Sequence, residues 1–226
     1  MLFSLFQMYS GTDLLIVLVC FVFALFSALI LHEVAHGFVA LKCGDPTAKF
    51  AGRLSLNPAK HLDPFGTIAL LICGIGWAKP VPVNPYNFRN YKKASFLVSI
   101  AGITTNLILG FISSLLYFVF VNFVSGFAGE FFSTLFLYMM AINVMLAVFN
   151  FLPIPPLDGF NMIATFAKPN NRFVEFMRNN QLLMLIVLLV VADATGLLML
   201  LRNTIISAFC GFWELIFAGS NALLPK

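Results

Sequence analysis

His32, Glu33 and His36 form the pattern His-Glu-x-x-His, which combines two metal ligands with a proton acceptor. Histidines four residues apart lie on one face of an α-helix, where two neutral imidazoles can bind one Zn²⁺. The glutamate beside the first histidine is placed to take a proton from a metal-bound water. These residues predict a hydrolytic zinc centre. The alternative is a pair of helical histidines hydrogen-bonded to backbone or to a neighbouring helix.

The surroundings of the pattern are apolar. It lies in a run from Leu14 to Leu41 that contains no charged residue other than Glu33. Polar side chains at membrane depth are costly unless they coordinate a partner, so this setting favours metal binding. His32 precedes Lys42 by about ten residues, or about 15 Å along a helix at 1.5 Å per residue. We therefore expect water-dependent chemistry below the surface of a bilayer.

The composition is that of an integral membrane protein. Of 226 residues, 61% are hydrophobic and only 10% are charged, whereas soluble domains carry about 25% charge. The net charge of +4 does not indicate nucleic-acid binding, because no basic stripe with interleaved aromatic residues occurs. No Lys or Arg precedes the first apolar run, which we expect to be a retained span rather than a signal peptide. The four cysteines lack CxxC spacing and predict neither a disulfide nor a thiolate metal site.

Apolar segments predict an all-α polytopic membrane protein with five to six transmembrane helices. The shorter segment 65–77 contains three glycines and fits a re-entrant segment better than a sixth span. Two further segments, 52–58 and 78–85, predict short extended or β segments near the cytoplasmic face, the second because three prolines restrict it. The segments long enough to cross about 30 Å of hydrocarbon are 12–42, 95–123, 132–152, 181–201 and 204–223.

The distribution of positive charge tests this topology. If 65–77 does not cross and the N-terminus lies outside, twelve of the thirteen Lys and Arg residues fall on the cytoplasmic side, and only Arg202 lies outside. If 65–77 crossed, the basic stretches 42–60 and 79–93 would face opposite sides. The five-span arrangement is therefore preferred, with the zinc pattern toward the cytoplasmic side of the cell membrane.

A third zinc ligand must come from elsewhere in the chain, because a catalytic zinc site has three protein ligands and one open position. Asp158 follows a segment broken by three prolines, and the preferred topology returns it to the level of His32 and His36. On spacing alone, an ordinary turn at Asp158 and Gly159 is as well supported as a zinc ligand at Asp158. His61 is the competing ligand, although its position in a polar loop favours a turn or strand contact.

Four other polar residues lie in apolar segments without an assigned catalytic role. The amide of Asn106 or Asn150 is a candidate to hydrogen-bond a substrate carbonyl, but hydrogen bonding between helices is the expected role of both. Asp193 and Glu214 lie in the last two apolar runs. Each is either a functional polar group or a side chain that snorkels toward the membrane surface or pairs with a neighbouring helix.

These motifs resemble those of the site-2 proteases, the M50 family of intramembrane zinc metalloproteases, in the compact bacterial form without a PDZ domain. The resemblance implies that His32, His36 and Asp158 bind one Zn²⁺ per chain and that Glu33 is the catalytic residue. One departure is Ile103, where relatives commonly have proline. Four blocks of sequence carry the resemblance: 32–36, 52–67, 76–85 and 150–159.

The predicted function is hydrolysis of a peptide bond in or near a transmembrane segment, with single-span membrane proteins and the lipid bilayer as partners and no nucleic acid. We expect one membrane-embedded domain over 1–226, with a catalytic core at about 11–160 and a C-terminal helical pair at about 181–224. The alternatives are a membrane metal transporter or sensor and a non-catalytic scaffold that binds transmembrane helices. A transporter would be expected to show internal repeats and ligands on several helices, and a scaffold would be expected to lack Glu33. A prenyl-protein endopeptidase is a further alternative that the Asp158 segment fits poorly.

Overall fold

The computed structural model describes residues 9–63, 66, 79–168 and 171–221, and helices dominate these parts of the chain. The predicted re-entrant segment 65–77 lies, apart from Gly66, outside the described residues. Two short 3₁₀ helices, Pro58–Lys60 and Pro85–Asn87, lie between the first two long helices. The α-helices are α1 (Gly11–Lys42), α2 (Thr47–Phe50), α3 (Tyr91–Phe123), α4 (Gly126–Phe151), α5 (Asp158–Ala164), α6 (Arg172–Asn179), α7 (Gln181–Thr195) and α8 (Leu197–Asn221).

The three longest helices, α1, α3 and α4, pack against one another and form the core. On α1, Cys20, Ala24 and Ala28 recur every four residues and are fully buried, so that small side chains allow close approach of the neighbouring helices. Ile142 of α4 packs against this face of α1. α8 contacts α3 and α4, and the Trp213 Nε1–H donates a hydrogen bond of 2.8 Å to Ser114 Oγ.

Four helices are long and apolar enough to cross a membrane, and a fifth is obtained if α6 and α7, which meet at 80°, form one bent span. The prediction of an all-helical protein with several spans is confirmed in this form. The predicted boundary between the last two spans, at 201–204, is wrong. Gly196 adopts a left-handed conformation with φ 63° and ends α7, so Arg202 lies within α8 rather than in a loop.

No β-strand occurs among the described residues, and the expected β segments are therefore not found there. The non-helical segment 79–84, here called the strap, is instead held by isolated hydrogen bonds. Lys79 donates its N–H to the His61 carbonyl at 2.8 Å, and Lys79 O accepts from Arg53 Nη2 at 2.5 Å. Two prolines within the strap, Pro80 and Pro82, have no N–H to donate to a β-ladder, which explains why side chains and loops hold this segment.

Asp45 links the end of α1 to the end of the strap. Its carboxylate accepts hydrogen bonds from Asn84 N at 2.6 Å, Asn87 Nδ2 at 2.8 Å and Thr47 N at 3.1 Å. The side chain is fully buried. Burial alone would raise the pKa of this carboxyl, but its hydrogen bonds to Thr47, Asn87 and Asn84 outweigh burial and lower the pKa. Asp45 is therefore ionised at neutral pH and fixes the path of the chain beside α1.

Candidate metal centre

The C-terminal half of α1 supplies three polar side chains to one site. His32 and His36 lie one turn apart on the buried face, with Glu33 beside them and partly exposed. Their four-residue spacing places both imidazoles on one face of the helix. The histidine pair therefore has the shared orientation that its spacing predicts.

Asp158 reaches this site because the chain reverses at the end of α4. α4 ends at Phe151, and α5 begins at Asp158. Gly159 allows the start of α5 to pack closely against the end of α4, because a Cβ on this residue would lie only 2.6 Å from the Leu152 carbonyl oxygen. Asp158 is thus the first residue of a short helix rather than part of an ordinary turn.

Three ligand atoms from two separate helices converge at the centre. Nε2 of His32 and Nε2 of His36 are 3.0 Å apart, and each lies 3.2 Å from Asp158 Oδ2. A tetrahedral zinc site with bonds of about 2.0–2.1 Å separates neighbouring ligand atoms by about 3.3 Å. The near-equilateral triangle therefore has the dimensions of one face of such a site. Among the described residues, these three form the single group of His, Cys, Asp or Glu side chains suited to a metal ion.

The protonation states of these groups also suit a cation. Nδ1 of His36 lies 2.7 Å from the Val98 carbonyl oxygen, to which it must donate its proton. In the neutral imidazole this leaves a lone pair on Nε2, directed toward the carboxylate of Asp158. His36 Nε2 and Asp158 Oδ2, which both carry lone pairs, thus lie about 3 Å from each other and from Nε2 of His32. A positive ion stabilises such an arrangement. The donor set fits Zn²⁺.

The Asp158 carboxyl is ionised despite its position. Burial alone would raise its pKa, but when the His32 and His36 imidazoles are protonated, their hydrogen bonds to the carboxylate and their positive charge lower the pKa to about 2. The side chain therefore supplies a full negative charge to the triangle at neutral pH.

Glu33 is connected to the strap rather than to the triangle. Its Oε2 accepts a hydrogen bond of 2.8 Å from the backbone N–H of Val81. Gly37, one turn further along α1, permits this approach, since a Cβ there would lie 3.0 Å from Val81 Cγ1. The strap thus fixes the carboxylate of Glu33 beside the two histidines.

A cleft of about 420 Å³ opens onto these groups. His32, Glu33, His36 and Asp158 lie in its wall, and its remaining lining combines the strap with the N-terminal end of α3 and with α5. The volume is in the range of small-molecule and peptide sites. Polar residues that complete the lining are Ser95, Ser99, Asn150, Asn161, Thr165 and Arg178.

Several residues considered from the sequence lie elsewhere. His61 is buried in the loop and its Nε2 contacts the Ser55 carbonyl oxygen at 2.7 Å, a loop contact as expected. The amide of Asn106 is fully buried, and neither of its polar atoms is hydrogen-bonded to a described residue, so the expected bond between helices is not found in this part of the chain. Asn150 donates to Leu146 O of its own helix at 3.0 Å and lines the cleft. Asp193 and Glu214 are exposed.

Two contacts at the centre were not foreseen from the sequence. The Val98 carbonyl and the Val81 amide are backbone groups, and any residue type other than proline supplies both. No residue pattern therefore identifies them. Only the packing of α3 and the strap against α1 does so.

Comparison with known proteins finds relatives named as zinc metalloproteases. The chain is 46% identical over 149 residues to "Putative zinc metalloprotease YwhC" of Bacillus subtilis, covering 63% of this chain and 66% of that protein. It is 29% identical over 155 residues to "Putative zinc metalloprotease Rip2" of Mycolicibacterium smegmatis, covering 64% and 56%. For Rip2 of Mycobacterium tuberculosis the identity is 30% over 151 residues, covering 64% and 56%.

The chain therefore spans slightly less than two thirds of the Bacillus relative and little more than half of the mycobacterial ones. No family model matches the chain, and no solved structure matches it. These relatives are named as zinc proteins, and the imidazole and carboxylate groups of His32, His36 and Asp158 are of the types that bind zinc.

Proposed function

We propose that this protein is a zinc metallopeptidase of the site-2 protease type, which hydrolyses a peptide bond within or next to a transmembrane segment of its substrate. The observation that carries the proposal is the triangle of His32, His36 and Asp158 ligand atoms beside Glu33. This group lies on an apolar helix long enough to span a membrane. The names of the relatives point to the same chemistry.

One zinc ion per chain is held by His32, His36 and Asp158 in this proposal. When bound, zinc would lower the pKa of a water molecule and polarise the carbonyl of the scissile peptide. Asp158 offsets one positive charge and holds both imidazoles in place. His36 is kept in the required tautomer by the Val98 carbonyl.

Glu33 is the catalytic acid–base in this mechanism. Its carboxylate accepts a proton from the attacking water and then donates it to the leaving amine of the cleaved peptide. The hydrogen bond from Val81 N–H occupies Oε2, which leaves Oε1 to contact the water. The strap thus orients the general base without a second side chain.

The strap is also the proposed binding site for the substrate backbone. A transmembrane helix hides its amides in internal hydrogen bonds, so the scissile segment must unwind before attack. Pro80, Val81 and Val83 of the strap line the cleft. An extended substrate segment lying along this edge, in the manner of an added strand, would present its carbonyl to the centre. A photocrosslinking residue at Val83 is expected to capture a bound substrate peptide; capture confined to positions on α7 and α8 would contradict this role of the strap.

The remaining proposals concern the whole chain. We treat residues 1–226 as one membrane-embedded domain with its core at about 11–160, and the C-terminal helices at about 181–224 as candidates to gate entry of a single-span substrate. The distribution of Lys and Arg supports a position in the cell membrane with the cleft toward the cytoplasm. If disulfide crosslinking of α8 to α3 left cleavage unchanged, the C-terminal helices would have no gating role.

The test is cleavage of a panel of single-span substrates by purified protein in detergent, comparing wild type with Glu33→Gln. We expect cleavage to fall by at least about 100-fold in the variant, because the general base is lost. Bound zinc, measured on the same samples, should be retained, because Glu33 is not one of the three ligands. Equal cleavage by both proteins would contradict the proposed role of Glu33.

A further inference from the structure

The two histidines of the centre are supported from outside in different ways. His36 donates its Nδ1 proton to the Val98 carbonyl at 2.7 Å. Nδ1 of His32 is buried and has no hydrogen-bond partner among the residues that the structure describes. Metal-binding histidines almost always have such a partner on the second nitrogen, which fixes the orientation of the ring. Another contact must therefore restrain the ring of His32.

That contact is the backbone of α3 at Gly102. A Cβ placed on Gly102 would lie 2.6 Å from both Nδ1 and Nε2 of His32, and closer still to Cε1. Distances this similar to three atoms of one ring place the point over the face of the imidazole. The α-carbon of Gly102 thus covers that face at a separation that leaves no room for a methyl group.

The spacing along the two helices explains the pairing. Val98 and Gly102 are four residues apart on α3, as His32 and His36 are on α1. Val98 contacts His36 and Gly102 contacts His32, so the chain directions of the two helices are opposed at this crossing. One face of α3 therefore supports both imidazoles, one by a hydrogen bond and the other by steric contact.

We infer that Gly102 is a positioning residue that sets the orientation of the His32 imidazole toward the metal. The inference rests on the proposed zinc centre. Any side chain at 102 would rotate or displace the ring, and Nε2 of His32 would leave the triangle that it forms with His36 and Asp158. Gly102 itself contacts neither metal nor substrate.

The first test replaces Gly102 by alanine and uses Gly110→Ala as the matched control. Gly110 lies two turns further along α3, where a Cβ would meet Val144 Cγ2 of α4 at 3.0 Å. Both changes add one methyl group to a buried helical glycine, and both raise helix propensity equally. Only the first faces a proposed ligand.

The measured quantities are the coordination geometry and affinity of the bound metal, and neither depends on peptide cleavage. Apo-protein is titrated with Co²⁺, whose visible absorption reports its coordination geometry, and then with Zn²⁺ in competition with a chelator. We expect Gly102→Ala to alter the Co²⁺ spectrum and to weaken Zn²⁺ binding about tenfold or more, with Gly110→Ala like wild type on both measures. Superimposable spectra and equal affinities for wild type and Gly102→Ala would overturn the inference while leaving the proposed zinc site intact. Absence of metal binding by wild type would overturn both.

A double-mutant cycle covers the case in which Gly102→Ala folds poorly. If the methyl group acts through the His32 ring, truncation of that ring in His32→Ala removes the clash. The loss of thermal stability caused by Gly102→Ala should then disappear in the His32→Ala background, and the yield of folded protein should recover. An equal loss in both backgrounds would mean that Gly102 serves only general helix packing.

Discussion

His32 and His36 belong to one helical turn, but only His36 has its tautomer fixed by a hydrogen bond. The Val98 carbonyl holds its Nδ1 proton and leaves Nε2 free as a ligand atom. Asp158 lies equally close to both imidazoles. At the residue scale, the carboxylate of Asp158 thus joins two helices through the site that we assign to zinc.

Asp158→Asn provides the residue-scale prediction. We expect zinc content to fall from about one ion per chain to well below half, because a neutral amide neither balances the charge of the ion nor binds it strongly. Asp193→Asn is the matched control, since this aspartate is exposed on α7. Metal analysis of protein purified without added zinc provides the measurement. Full zinc occupancy in Asp158→Asn would contradict its assignment as a ligand.

At the element scale, hydrogen bonds of the strap connect α1 to the loop that follows it. One end of the strap is bonded to the buried Asp45 through Asn84 N, and Val81 N–H bonds to Glu33. Glu33 therefore depends for its position on a segment that forms no regular secondary structure. The stability of that segment depends in turn on the charge of Asp45.

Asp45→Asn is expected to lower the thermal stability of the protein at pH 7, at a cost of about 1–3 kcal/mol for a buried, hydrogen-bonded charge. The folded-state pKa of Asp45 lies below its unfolded value of about 3.9. The stabilisation is therefore complete above the unfolded pKa and is lost as the pH falls through the folded pKa. The difference in melting temperature between wild type and variant should be constant from pH 5 to pH 8 and shrink below about pH 4.

Scanning fluorimetry in detergent over this pH range measures the difference. Asp13→Asn, at an exposed position in the first turn of α1, serves as the control for a lost surface charge. A gap for Asp45→Asn that stays constant down to pH 3 would mean that the carboxylate form is not the stabilising one.

The element scale also shows what the sequence could predict. The pairing of His32 with His36 follows from local helical spacing, which needs no knowledge of the fold. The approach of Asp158 to the histidines depends on how α4 ends and on the close packing that Gly159 allows. Sequence spacing alone therefore could not distinguish a metal ligand at Asp158 from an ordinary turn. The end of α7 at Gly196 was not predicted, because a single glycine barely changes the apolar character of a long segment. Its positive φ is nevertheless enough to end the helix.

At the scale of the whole molecule, the contacts of α3 with α1 show that these helices run in opposite directions, and the two-residue connection to α4, which packs against α3, reverses the chain again. The short Val124–Ser125 connection between α3 and α4 then lies on one side. The end of α1, the beginning of α3 and the segment after α4 lie on the other side. The proposed cytoplasmic position of the cleft follows if the basic loops face inward.

Single cysteines introduced into a variant without the four native cysteines test this arrangement. A membrane-impermeant maleimide applied to intact cells is expected to label Ser125→Cys and to leave Lys60→Cys and Glu175→Cys unlabelled until the cells are opened. All three positions are exposed, so accessibility of the side chain does not limit the reaction. Labelling of Lys60→Cys and Glu175→Cys in different compartments would contradict the proposed topology.

X-ray absorption at the zinc edge of the purified wild-type protein tests the central claim most directly. The account predicts about one zinc per chain, with two imidazole nitrogens and oxygen ligands at about 2.0–2.1 Å. Zinc bound through sulfur at about 2.3 Å, or protein that holds no stoichiometric zinc, would contradict it.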